Sequence, residues 1–173
     1  KFLQKKYFIE NGTTLRGLMI HCGVVPEKFL EYVHDIDFDI VKPDIELNNL
    51  IKKISEKKII FTNADRIYAE KIITRLGLED TFDDIFDIEK ADYIPKPNIA
   101  TYKKLISTYG FDVEKAIIFD DIPNNLIPAA DLGLTTVQVY NKNLDKELNG
   151  TSKKIDYMTT NLKEWLQTWI TNN

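Results

Sequence analysis

Two adjacent acids, Asp120 and Asp121, close the apolar run Lys115-Ala-Ile-Ile-Phe119 and stand just before Pro123, a residue that can open a helix. Carboxylates this close repel one another, and each loses hydration beside a buried strand. The pair therefore calls for compensation by a metal ion, a lysine or water. Oxygen ligands of this kind suit a hard cation such as Mg2+, which takes few carboxylates and keeps some waters; for the two acids in isolation, a helix cap is the equal alternative. Lys96 lies between Pro95 and Pro97, whose rings limit the backbone and would hold the ammonium in a fixed direction. Thr62 closes a second apolar run, Lys58-Ile-Ile-Phe61. The amides of Asn63 and Ala64 follow it near a helix start, a combination able to hold a phosphate oxygen. Taken singly, the threonine reads as a cap and the lysine as exposed surface.

The elements that must position these groups follow from hydrophobic pattern. Residues 58–62 and 116–119 are short, continuous apolar runs rich in β-branched and aromatic residues, which predicts strands buried on both faces. Residues 135–140 predict a third strand and 84–88 a weaker fourth. Between them, Ala69, Ile72, Ile73 and Leu76 recur at helical spacing after Asn63 and Asp65, which can cap, and before the stop at Gly77. Pro97 suits a first helical position for the face Ile99, Tyr102, Leu105, Ile106 and Tyr109, which ends at Gly110. Pro123 opens a shorter helix, and a last helix carries Leu162, Trp165, Leu166, Trp169 and Ile170 on a core-facing stripe. Strands alternating with helices imply an α/β fold with a Rossmann-like parallel sheet, whose site lies beyond the carboxyl ends of the strands. Residues 1–43 hold helical patterns and no convincing strand. They read as a separate helical cap segment, with residues 44–173 as the α/β core.

Composition narrows the function classes. The chain has 173 residues, 43% of them hydrophobic, and a net charge of -4. Its lysines are scattered rather than gathered into a basic stripe, which argues against a nucleic-acid partner and leaves small phosphorylated substrates open. No apolar run approaches the roughly 20 residues of a membrane helix, and no signal-peptide pattern opens the chain. The single cysteine, Cys22, excludes an internal disulfide and suits a reducing cytoplasm; it reads as a small, partly buried thiol.

The order of the polar groups carries a resemblance. Threonine at one strand end, a proline-flanked lysine some thirty residues on, then an acidic pair after an apolar strand resembles motifs two, three and four of the haloacid dehalogenase-like hydrolases. Asp120-Asp-Ile-Pro-Asn-Asn-Leu126, followed by Ala129-Ala-Asp-Leu-Gly-Leu-Thr-Thr-Val137, looks like the fourth motif with its helix and strand. A receiver domain combines similar groups, but with its acidic pair first and its lysine last. Glu10-Asn-Gly-Thr-Thr-Leu-Arg-Gly-Leu18, Tyr32-Val-His-Asp-Ile-Asp37, Ile60-Phe-Thr-Asn63 and Phe86-Asp-Ile88 through Pro95-Lys-Pro97 narrow the likeness to the pyrimidine 5′-nucleotidase branch.

That resemblance implies Mg2+-dependent hydrolysis of phosphate monoesters, nucleoside monophosphates among them, through an aspartyl-phosphate. A cation and a lysine screen the approach of two anions while donors hold the transferring oxygens. By position, Thr62 donates to the phosphoryl group, Lys96 bridges it and the nucleophile, Asp121 binds the metal with Asp120 in support, and Asn63 shapes the phosphate loop. Thr13, Thr14 and Arg16 are the polar groups near the substrate on the cap side, each equally readable as a helix cap or a surface group. The nucleophile itself has no counterpart here. An apolar strand ending Asp-x-Asp-x-Thr occurs nowhere in the 173 residues. Asp35-Ile-Asp37 has the spacing but follows Tyr-Val-His rather than an apolar strand. The chain opens on Lys1 rather than methionine, and the expectation is an upstream segment that supplies the first, central strand. Two alternatives stand beside this reading: a non-catalytic module of the same fold that binds a phosphorylated ligand or a protein, and a phosphatase for another small metabolite.

Overall fold

The computed structural model describes residues 2–34, 36–140 and 154–172. The chain divides into two compact units, Lys1–Pro95 and Lys96–Asn173.

The first unit begins with three helices, α1 (Phe2–Asn11), α2 (Thr14–Cys22) and α3 (Pro26–Val33). Thr13 caps α2 by accepting the amide of Arg16, and Gly23 closes it in the left-handed conformation that a residue without Cβ adopts at no steric cost. Helix α4 (Ile45–Lys52) starts at Asp44, whose side chain accepts the amide of Leu47. Strand β1 (Ile59–Phe61), helix α5 (Arg66–Leu76) and strand β2 (Asp84–Phe86) then form a parallel β-α-β unit in register Ile59 to Asp84 and Phe61 to Phe86. Phe61 meets Phe86 edge to face at 5.6 Å. Leu15, Leu30 and Ile88 are buried together, with Met19, Phe29 and Tyr93 packed against them. The first helices thus share an apolar cluster with the segment that follows β2.

The second unit places α6 (Ile99–Tyr109), a short 3-10 turn, β3 (Ile117–Asp120), α7 (Pro123–Asp131), β4 (Thr135–Val139), β5 (Tyr157–Thr159) and α8 (Leu162–Asn172) in sequence. Its sheet is parallel in the order β3-β4-β5, with Ile117 opposite Thr135 and Asp120 opposite Gln138. One face takes α8: Trp165 stands edge-on to Phe119 at 5.1 Å and to Tyr157 at 5.9 Å, and Trp169 stacks on Trp165. Leu126, Ala129 and Val137 are wholly buried. Among the described residues β1 pairs only with β2, and β3 only with β4, so each keeps one side without a hydrogen-bonded strand.

The α/β class, the parallel pairing and the helices on the sheet agree with the pattern read from sequence. Several details differ. Pro97 is not a helical residue; α6 begins at Ile99 because the Asn98 side chain accepts the amide of Ala100 at 3.0 Å and makes a better start. Strand β5 follows a segment with little apolar alternation and has no counterpart in the sequence reading. Cys22 is exposed rather than partly buried, with the Tyr7 hydroxyl 3.9 Å from its sulfur. No helix among the described residues is long and apolar enough to cross a membrane.

Candidate active site

Strand β3 delivers its acids to a network within the second unit. The Lys96 ammonium donates to Asp120 Oδ2 at 2.6 Å, and both residues are buried, at 7% and 9% exposure. The other carboxylate oxygen, Oδ1, accepts the Ile122 amide at 2.9 Å and the Asn125 side-chain amide at 3.0 Å. Asn125 is fixed in turn by helix α7, where its carbonyl accepts a short hydrogen bond from the buried Tyr102 hydroxyl. Burial, then the Asp120 charge, raises the pKa of that phenol. Asp120 therefore has three protein donors and an opposite charge. The Lys96-Pro97 peptide is cis.

Asp121 differs from its neighbour. It lies one residue beyond β3 on the exposed side of the turn. Crowding of its carboxyl by surrounding protein, then the charge of Asp120, pushes it up from the usual carboxylate range, while Lys96 acts in the opposite sense. The helix-cap alternative for the acids does not describe this arrangement. Helix α7 is entered through Ile122 with no side-chain cap, and Pro123 takes the first turn, where its missing N–H costs nothing.

The first unit holds Thr62 and Asn63 directly after β1. The Thr62 amide donates to the Phe86 carbonyl at 3.0 Å, which continues the β1–β2 ladder. Thr62 Oγ1 accepts the Ala64 amide at 3.0 Å, which leaves the hydroxyl proton to point elsewhere. The Ala64 amide is thus committed to Thr62, a change from the expectation that the Asn63 and Ala64 amides act together on a phosphate. The carbonyl of Ala64 accepts the Ile88 amide at 3.1 Å. Asp65 then caps α5 by accepting the Tyr68 amide at 2.7 Å.

On the helical side, Thr13 serves as the cap of α2, and the Thr14 hydroxyl donates to the Gln4 carbonyl at 3.3 Å. Arg16 is half-buried, and among the described residues its guanidinium makes no ion pair. Asp37 accepts the Asp39 amide at 2.8 Å in an exposed turn, and Asp39 pairs with Arg75 at 2.7 Å. That turn is not a strand end, in keeping with the exclusion of Asp35-Ile-Asp37 as a nucleophile; Asp35 itself lies outside the described residues.

Within the second unit, then, the structure brings Lys96, Asp120 and Asp121 together. Within the first, it sets Thr62 and Asn63 in one tight turn, with Arg16 on a separate helix. Two participants were missed from sequence, Asn125 and Tyr102. A signal existed for Asn125, a polar residue on the otherwise apolar face of α7 that carries Leu126 and Ala129.

Comparison with known proteins follows the same lines. An L-2-haloacid dehalogenase from Xanthobacter autotrophicus superposes with a TM-score of 0.61 at 12% identity, over 97% of this chain and 80% of that one. A haloacid dehalogenase-like phosphatase from Thermococcus onnurineus gives 0.58 at 21% identity, over 84% and 65%. A haloacid dehalogenase-like hydrolase from Streptococcus pneumoniae gives 0.53 at 17%, over 72% and 58%. These likenesses establish the fold. The family model for haloacid dehalogenase-like hydrolases matches residues 6–133, most of the described β-α-β framework and its polar strand ends, and the chain belongs to that family.

Proposed function

We propose that this protein is a Mg2+-dependent phosphate monoester hydrolase of the pyrimidine 5′-nucleotidase branch, acting on nucleoside monophosphates in the cytoplasm. The observation that carries the reading is the buried Lys96–Asp120 pair at the end of β3, with Asp121 exposed beside it. A lysine is buried at such cost only where its charge is paired, and here the pairing also fixes where the ammonium stands.

The donor set fits Mg2+ in a defined way. Crowding by surrounding protein, then the Asp120 charge, holds the Asp121 carboxyl above its usual range, and a cation beside it would offset both. Asp120 already takes three protein donors, which leaves little of a carboxylate's roughly four lone-pair sites. Asp121 would therefore be the principal ligand and Asp120 its support. Among the described residues no group of three or more acidic, histidine or cysteine side chains forms a self-sufficient metal cage. In this reading the ion would be held by one or two carboxylates and take its remaining ligands from substrate phosphate and water. When bound, the ion supplies charge neutralisation of the phosphoryl group.

The chain's own residues then have separate tasks. Thr62, its Oγ1 occupied as an acceptor, donates its hydroxyl proton to a phosphoryl oxygen. Asn63 shapes the turn around that oxygen. Lys96 screens the approach of nucleophile and phosphate. In the reaction, an aspartate oxygen bonds to phosphorus as the ester P–O bond breaks, and a second acid protonates the leaving alkoxide. Water then attacks the aspartyl-phosphate, which regenerates the carboxylate and releases inorganic phosphate. We place the nucleophile and its partner acid on a strand outside these 173 residues, because no Asp-x-Asp-x-Thr occurs within them. The same observation favours the second reading, a non-catalytic phosphate-binding module.

A panel of nucleoside monophosphates and sugar phosphates, assayed with Mg2+ and with EDTA, separates these readings. The protein carrying the upstream strand turns over pyrimidine monophosphates, and the 173-residue chain does not. Asp121→Asn lowers the rate on the order of 10²-fold and blunts the response to Mg2+. Full activity in that variant removes the metal assignment; phosphate binding without turnover by the longer protein selects the second reading.

A further inference from the structure

Within the first unit, His34 ends α3 and Asp65 opens α5, and the two side chains meet with Nδ1 2.6 Å from Oδ2. That separation is slightly shorter than the about 2.7–2.9 Å typical of charge-assisted N–H···O hydrogen bonds. The imidazole is also held on its face: it stacks on Tyr68 with centroids 4.1 Å apart and planes inclined by 28°, and Phe38 tilts against Tyr68 at 5.6 Å. Asp65 is 8% exposed, and its second oxygen is occupied by the Tyr68 amide. Both oxygens of the carboxylate are thereby directed, one by the helix it caps and one by a side chain from another helix.

Asp65 follows the turn Thr62-Asn63-Ala64 without an intervening residue. Within the turn Thr62 Oγ1 takes the Ala64 amide, and the sheet side holds it through the Thr62 amide on the Phe86 carbonyl and the Ile88 amide on the Ala64 carbonyl. His34 reaches Asp65 from the helical segment of residues 1–43. We infer that His34 is a positioning residue, which locks Asp65 and, through the start of α5, holds the Thr62–Ala64 turn in the conformation that grips a phosphate. The inference rests on the reading of that turn as a phosphate site. It makes the helical segment a working part of the grip.

The test is a titration with inorganic phosphate, followed by the backbone amide shifts of residues 62–64 in the wild-type protein and in His34→Ala, His34→Leu and His34→Asn. The asparagine amide reaches the place of Nδ1 and restores the bond to Asp65 without the stacking; leucine fills space without the bond. Phosphate Kd rises about tenfold in the alanine and leucine variants and stays within about twofold of wild type in asparagine, as expected for one hydrogen bond to a charged group. Should the alanine variant fail to fold, leucine against asparagine carries the comparison. Equal affinity in all variants, or asparagine as weak as leucine, overturns the role of His34 alone. A wild-type protein whose turn ignores phosphate overturns the phosphate reading and this inference with it.

Discussion

Lys96 and Asp120 show how one ion pair organises a strand end. Each loses hydration on burial, and each is tolerable because the other stands 2.6 Å away with Asn125 and the Ile122 amide completing the carboxylate. Lys96→Met strands the Asp120 charge and destabilises the protein by about 3–5 kcal/mol, measured by denaturant unfolding, and adding Asp120→Asn recovers part of that loss. A single variant within about 1 kcal/mol of wild type would mean the pair is not buried in solution. Taken singly, Lys96 reads as an exposed side chain in a proline loop, and only its place in the order of motifs marks it as a site residue. Its burial comes from the tertiary approach of that loop to β3, which no local pattern encodes. Thr62 was the more legible residue, since its place at the end of an apolar run already implied the turn it makes.

Helix α2 depends on a close approach. A Cβ added at Gly17 would stand 2.4 Å from both Cβ and Cγ of Tyr7 on α1, closer than packed atoms come. Gly17→Ala forces the helices apart and lowers stability by about 1–3 kcal/mol in thermal or chemical unfolding. In a Tyr7→Gly background, where both the Cβ and the ring of residue 7 are gone, the same change is near neutral. An equal penalty in both backgrounds would trace the effect to something other than this contact. The helices themselves are readable from capping residues and periodic apolar faces, and Asp65 and Gly77 stand where those signals put them. The start of α6 was misplaced by two residues because Asn98 outcompetes a proline as an initiator. Strand β5 was missed because pairing with β4, not intrinsic pattern, makes it a strand.

At the scale of the whole molecule, the informative feature is a pair of strands with one side each unpaired among the described residues. Phe119 on β3 is 37% exposed, and β1 is only half-buried along its length. Apolar edges of this kind template association, so the 173-residue chain forms larger species as its concentration rises in sedimentation velocity. A concentration-independent monomer would contradict the edge argument. By itself, the sequence determined the α/β alternation, the parallel strands and the order of threonine, lysine and acidic pair, because hydrophobic period and chemical type are local properties of a chain. Tertiary structure supplied the physical difference between the two acids, to which the resemblance assigns separate tasks. Asp120 and Asp121 are chemically identical neighbours, and only the approach of Lys96 and of Asn125 on α7 buries the first and leaves the second exposed.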